Sequence, residues 1–420
     1  MFTLLAELFP ICRSLTGEGA RKTLEILSRE IPLQMHFFPT GMRCFDWEIP
    51  EEWNITSAFI KDQSGNTIVD FADNNLHVVS YSEPISGWFS LDELKPHIFT
   101  LPDRPHSIPY VTSYYHRQWG FCMAHKDFLA LRDEKYYVKI DSSLSSGDLI
   151  IADTVLPGMV EKEILLSCYF CHPSMANDSL SGVVLVAHLY QELARQERYY
   201  GYRFLFVPET IGTIAYLSQH KDSIRSHLHA GFVVTCVGDP GPFNYKQSRH
   251  GHHAVDRVTE NVLKSSGFPY RIRPFWPGGS DERQYCSPGF NLPVGSLMRS
   301  IYGEYPEYHT SDDNLSFVTE EALGESLEVY LLVLKALQGN GLYRNTKPYC
   351  EPQMSKRGLY PKWGAQKARD EELQRRMWIL NYSDGEHALI DIAEKMNISI
   401  FSLIDTAREL QETGLLERIG

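Results

Sequence analysis

Nothing in this 420-residue chain approaches the roughly 18 consecutive apolar residues of a membrane-crossing helix. Basic residues are in deficit: 40 Lys and Arg against 53 Asp and Glu leave a formal charge of -13. That balance argues against a nucleic-acid partner, whose phosphates demand a basic footprint. Cysteine occurs eight times but without paired spacing. A disulfide-stapled module is therefore excluded, and the thiols are expected to be small buried side chains in a reducing compartment. No Lys or Arg precedes Arg13, and Glu7 interrupts the opening apolar stretch. A secretory signal needs a basic start and an unbroken apolar core. The expectation is a soluble cytoplasmic protein.

What is present is enough chain for about two or three domains. Leu4, Leu5, Leu8 and Phe9 share one helical face, and Leu24, Ile26, Leu27 and Ile31 mark a second helix. From Phe45 to about 145 the texture changes to short alternating runs separated by turns, rich in Trp and Tyr, which reads as a β-rich insertion. The run at 148–152 fits either side of that boundary. Strands then alternate with helices, implying an α/β domain on a mostly parallel sheet covered on both faces. The expected layout is an α/β domain from 1–44 and 146–342, an inserted domain at 45–145, a polar linker at 343–369 containing Leu359-Tyr360-Pro361, and a winged helix-turn-helix at 370–420.

The apolar run Ile164 to Phe170 reads as a buried parallel strand, and it ends in Cys171-His172-Pro173-Ser174-Met175-Ala176-Asn177-Asp178. A second such run, Phe204 to Val207, ends in Pro208-Glu209, and a late polar loop carries Tyr308-His309-Thr310. Ligand-binding groups gather beyond the carboxyl ends of parallel strands. Imidazole and carboxylate from several strand ends, with one carboxylate left free as a base, are what a hydrolytic zinc site needs.

The succession His172, Asp178-Ser-Leu-Ser-Gly, Glu209 with Gly212, Gly279-Ser280-Asp281 and Tyr308-His309-Thr310 resembles the cocatalytic zinc aminopeptidases, a family that includes glutaminyl cyclases. The likeness covers the α/β half of the chain. With a β insertion and a C-terminal winged helix, the whole layout is similar to bacterial aminopeptidase-like proteins associated with polysaccharide biosynthesis. The resemblance implies that His172, Asp178 and His309 are metal ligands and Glu209 the general base. Asp239, near the end of the 231–238 strand, is carried over as a further ligand with its register displaced.

Two departures trim that reading. The E-E-x-G motif of the family stands here as Glu209-Thr210-Ile211-Gly212, so the second glutamate, a ligand of one zinc, is missing. The H-x-D motif stands as His172-Pro173-Ser174, without its carboxylate. The implied cofactor is therefore one tightly held zinc, with a second weak or absent. Asp281 is expected to hold a substrate ammonium or to orient a ligand histidine, and Arg283, Arg299, Tyr302 and Tyr308 to contact substrate.

These readings favour zinc-dependent hydrolysis of an amide bond in a peptide or amide-bearing small molecule. A mononuclear site would serve deacylation of an amino sugar or cyclisation of an N-terminal glutamine equally well. Against them stand a non-catalytic scaffold that binds glycan or protein, and a regulator that reads DNA. Residues 366–420 hold seven Lys and Arg against eleven Asp and Glu, so the winged helix is expected to serve packing or a homodimer rather than DNA. His250-Gly251-His252-His253 lacks the i,i+4 spacing of a helical metal site.

Overall fold

The computed structural model describes residues 1–132, 134–359 and 367–420, with the backbone alone at 367–370. Tyr360 and Pro361 of the expected linker lie outside the described residues.

Two helices, α1 (Phe2–Leu8) and α2 (Glu18–Glu30), precede an eight-stranded sheet. Its strands are β1 (Gln34–Pro39), β2 (Asp148–Leu156), β3 (Val160–Tyr169), β4 (Tyr200–Val207), β5 (Leu228–Val233), β6 (Phe243–Lys246), β7 (Tyr270–Arg273) and β8 (Val294–Met298), in the order β1-β2-β4-β3-β5-β8-β6-β7. The central four, β4, β3, β5 and β8, run parallel and so end at one edge. Antiparallel β2 and β6 flank them. Helices α3 (Gly182–Leu193), α4 (Ile211–His227), α5 (Ala254–Ser266) and α6 (Glu320–Gly339) supply the layers.

Strand β3 shows why the sheet is covered twice. Ile164, Leu166 and Cys168 enter one apolar cluster with α1, α2, α3 and α6, while Leu165 and Tyr169 enter a second cluster on the other face. Every side chain of a doubly covered strand is buried, hence the unbroken apolar run. The glycine opening α3 is a packing requirement: a Cβ at Gly182 would lie 2.1 Å from the Val234 carbonyl oxygen at the end of β5.

The insertion forms a four-stranded antiparallel sheet in the order Thr67–Asp70, Glu52–Lys61, Lys135–Ser145, Ile85–Ser90, over a core of its own that includes Val69, Leu94, Phe121, Val138 and Ile140. Its last strand turns directly into β2, which pairs with β1 and β4, so the run at 148–152 belongs to the main sheet.

At the C-terminus, α7 (Lys367–Tyr382), α8 (Leu389–Met396) and α9 (Ile400–Glu412) sit with a three-stranded sheet. One strand departs from expectation. Leu342–Asn345, which spans the expected boundary between the α/β domain and the linker, is the central strand of that sheet, between Asp384–Ala388 and Leu416–Arg418. Its four residues are too few for a period to register, and pairing on both edges fixes them. Leu389, Ile390, Ile392, Leu403 and Ala407 belong to the same apolar cluster as α3 and α6. Among the described residues no helix is long and apolar enough to cross a membrane.

Candidate metal and hydrolytic site

Four loops leave the carboxyl edge of the parallel strands and meet. The loop after β3 brings His172 and Asp178, the loop after β4 brings Glu209, the loop after β5 brings Thr235 and Cys236, and the segment after β8 brings His309. Ser174, Thr210, Cys236 and His309 each adopt a left-handed backbone with φ between 46° and 65°. Such conformations cost about 1 kcal/mol or more in non-glycine residues and persist where surrounding contacts over-determine them.

His172, Asp178 and His309 each offer a ligand atom within 4.8 Å of the others. His309 Nε2 lies 3.1 Å from Asp178 Oδ2. Burial holds the His172 imidazole neutral, with its pKa lowered to about 4. Burial alone would raise Asp178, but His172, His309 and the Tyr169 hydroxyl outweigh it and hold the carboxyl at about 2. Imidazole nitrogens and an ionised carboxylate are the donor types that zinc takes.

Glu209 lies beside this group without joining it: its Oε2 is 3.7 Å from His172 Nε2, and 23% of its side chain stays open. Burial, with Asp281 and Asp178 nearby, pushes the Glu209 carboxyl well above the ordinary range, and Arg283 opposes the shift. Asp281 is buried, accepts the Thr210 N–H at 2.7 Å, and is itself raised to about 7 by burial. Arg283 donates to the Thr210 hydroxyl at 2.8 Å. Tyr308 stacks on the His309 ring at 3.9 Å.

Several supporting residues escape a reading of the sequence. The Tyr169 hydroxyl donates to Asp178 Oδ1 at 2.5 Å. Asp313 accepts the N–H groups of both Asn177 and Asp178. Arg13, wholly buried between α1 and α2, donates to the His172 carbonyl at 2.8 and 3.2 Å. Tyr110, from the insertion, donates its N–H to the His309 carbonyl at 2.8 Å and sets its ring 5.2 Å from both histidine rings. Tyr169 and Asp313 lie in the motif segments, whereas nothing local to Arg13 or Tyr110 signals a partner so far along the chain.

Other candidates are placed elsewhere. Asp239 is spent on the Asn177 amide, the Ser300 N–H and hydroxyl, and the Gly241 N–H, so its carboxylate ties turns together and does not join the cluster. Arg299 pairs with Glu325 of α6 at 2.6 Å and covers the Phe243 ring, with no contact to the cluster. Tyr302 donates to Glu282 at 2.6 Å and accepts from Lys246 at 2.8 Å, a buried trio beneath the 278–281 turn rather than an open substrate contact. The rings of His250, His252 and His253 stand 5.2 to 6.2 Å apart. Among the described residues they do not form a group of convergent ligand atoms. Cys168, Cys171 and Cys236 are buried with thiols pushed well above their ordinary pKa by burial, and Cys171 accepts the Glu209 N–H.

Comparison with known proteins agrees with this architecture. Residues 2–340 match a family model described as a domain of unknown function (DUF4910), and residues 341–418 match a winged helix-turn-helix model. A protein of Clostridium acetobutylicum, named for polysaccharide biosynthesis and an aminopeptidase-like domain, is 45% identical over 419 residues, covering 100% of this chain and 96% of its own. The chain belongs to the DUF4910 family, in its form with an aminopeptidase-like domain and a C-terminal winged helix. A crystal structure of a C. acetobutylicum protein presented as a candidate peptidase superposes with a TM-score of 0.92 at 45% identity, over 100% of this chain and 96% of that one. The zinc aminopeptidase of Bacillus subtilis shares the fold at 11% identity, with a TM-score of 0.58 over 79% of this chain and 93% of its own.

Proposed function

We propose that the chain is a zinc-dependent hydrolase of an amide bond, with His172, Asp178 and His309 as the metal ligands and Glu209 as the general base. The observation that carries this reading is the position of Glu209, a carboxylate at the rim of a three-donor cluster and outside it. The donor set fits zinc, and the family likeness to aminopeptidases supports the same chemistry. A zinc ion bound there supplies Lewis acidity to a carbonyl oxygen and acidifies bound water.

The remaining work falls to the chain. Glu209, with its raised proton affinity, accepts a proton from the attacking water and returns it to the leaving amine. Tyr169 and Thr235 hydroxyls hold Asp178 Oδ1, leaving Oδ2 toward His309. Tyr110 packs against both imidazoles and Tyr308 stacks on His309, which orients the two rings.

The deciding experiment is a screen of aminoacyl arylamides, dipeptides and N-acetyl amino sugars with zinc-loaded protein, followed by Glu209→Gln. The variant should retain its metal and lose at least about 100-fold in kcat. Turnover that survives Glu209→Gln would remove the base from the reading. A zinc-loaded protein inert across the whole panel would favour the scaffold.

A further inference from the structure

Beside Glu209, whose upward shift it opposes, stands a cation that forms no salt bridge among the described residues. Arg283 is half-buried, and its one side-chain hydrogen bond among the described residues runs from Nη2 to Thr210 Oγ1 at 2.8 Å. The two residues before it, Asp281 and Glu282, are both acids, yet neither forms a salt bridge with it. Asp281 Oδ1 is taken by the Thr210 N–H at 2.7 Å. Glu282 is bound by Lys246 and by the Tyr302 hydroxyl at 2.6 Å, with the Lys246 and Glu282 side chains at 0% exposure. Among the described residues, the rest of the guanidinium fork has no hydrogen-bond partner and can meet a ligand.

The arm that carries this fork is rigid. Glu282 pins one side of its base into the Lys246–Tyr302 trio, and the Asp281–Thr210 bond pins the other. Gly279 presses the preceding turn against Tyr302: φ is +99°, and a Cβ there would lie 2.1 Å from the ring. Thr210, itself held at φ +65°, aims its hydroxyl at the guanidinium. A preorganised guanidinium binds planar anions bidentately and loses little entropy in doing so.

We propose that Arg283 is a carboxylate receptor, so that the molecule bound here carries a free carboxylate beside the amide it presents to Glu209. The amide half of that statement rests on the hydrolase reading above, whereas the carboxylate half does not. A carboxylate matches the parallel N–H donors of one guanidinium, whereas a phosphate dianion would bring a second charge that a single fork does not neutralise. Thr210 acts as a positioning residue that fixes the plane of the fork.

The test uses the full chain in the Glu209→Gln background, so that binding is read without turnover, and titrates two matched probe pairs by calorimetry. These are N-acetylglycine with N-acetylglycinamide, and leucylglycine with leucylglycinamide. In at least one pair the acid should bind about tenfold or more tighter than the amide. The preference should vanish in Arg283→Met and survive in part in Arg283→Lys, with denaturation midpoints confirming that both variants fold. Equal binding of acid and amide, a preference that persists in Arg283→Met, or no binding of either acid up to about 10 mM would each overturn the proposal. Inorganic phosphate displacing the acid tenfold better than acetate does would reassign the anion and overturn the carboxylate. If Glu209→Gln proves still active while the Arg283-dependent preference holds, the base falls and the receptor stands. If Glu209→Gln is inactive and no preference exists, the receptor alone falls.

Discussion

Asp313 receives the backbone N–H groups of Asn177 and Asp178 on its two carboxylate oxygens, at 2.6 and 2.9 Å. The Asp313 carbonyl takes the Ala176 N–H at 3.0 Å, so the loop holding His309 is zipped to the loop holding Asp178. Burial, with Asp178 adding to it, raises Asp313 to about 7 despite these donors. Asp313→Ala leaves two buried N–H groups without partners, at about 1–3 kcal/mol each. It should lower the denaturation midpoint and weaken zinc binding by about 10- to 100-fold. Competition against a chromophoric chelator measures the second effect. Unchanged zinc affinity would mean that the two loops are positioned by other contacts.

Metal content separates ligands from look-alikes. Elemental mass spectrometry of dialysed protein should give about one zinc per chain, in keeping with a single three-donor group. His172→Ala and His309→Ala should each lose it. Asp239→Asn should keep it, since Asp239 binds the Ser300 and Gly241 turns instead, while stability falls by about 1–3 kcal/mol. Two zincs per chain in the unmodified protein, with one lost in Asp239→Asn, would restore Asp239 as a ligand.

Much of this was legible because doubly covered strands and loop motifs are local. The runs at 164–170 and 204–207 gave the strands, and His172, Asp178, Glu209 and His309 lie where strand ends must converge. Asp239 misled because a Gly238-Asp239-Pro240-Gly241 turn and a ligand loop share composition, and only the geometry of Asn177 and Ser300 separates them. Arg299 misled for a related reason: its partner Glu325 sits on α6, one helical face among many. Tyr110 and Arg13 were invisible because each reaches the site from another part of the chain, and pairings of that range leave no periodic trace.

The ion pair between Arg21 on α2 and Glu52 at the start of the insertion predicts an acid limb of stability. Arg21 Nη2 meets Glu52 Oε2 at 2.6 Å, and Asp148 N–H and the Asn54 amide add donors. The Arg21 hydrogen bond leads in lowering the Glu52 carboxyl from 4.5 to about 2. A carboxylate depressed in the folded state contributes fully above its unfolded pKa, and that contribution fades as pH falls through the folded one. Glu52→Gln should therefore cost about 2 kcal/mol near neutrality, with partial exposure of Arg21 keeping the figure below the full shift. The gap between variant and parent should close between pH 4.5 and 2. Denaturant titrations at several pH values read it directly, and a gap independent of pH would locate the effect in packing.

The winged helix is docked onto α5 and α6. Arg257 of α5 pairs with Asp391 at 2.7 Å and with Glu394 of α8 at 2.5 Å. The Asn261 side chain accepts the Ile400 N–H and donates to the Ile398 carbonyl, capping α9 from the peptidase-like domain. Lys335 of α6 lies over the Phe401 ring, on the helix that would enter a major groove. With seven Lys and Arg against eleven Asp and Glu in residues 366–420, duplex DNA should show no retardation even at low salt, where any phosphate contact would be strongest. Arg257→Glu should loosen the C-terminal module, lowering the denaturation midpoint and speeding limited proteolysis. Adding Glu394→Arg should restore part of the loss, since the pair is then re-formed with its charges exchanged. Tight, salt-sensitive DNA binding by the unmodified chain would overturn the reading of this module as a packing element.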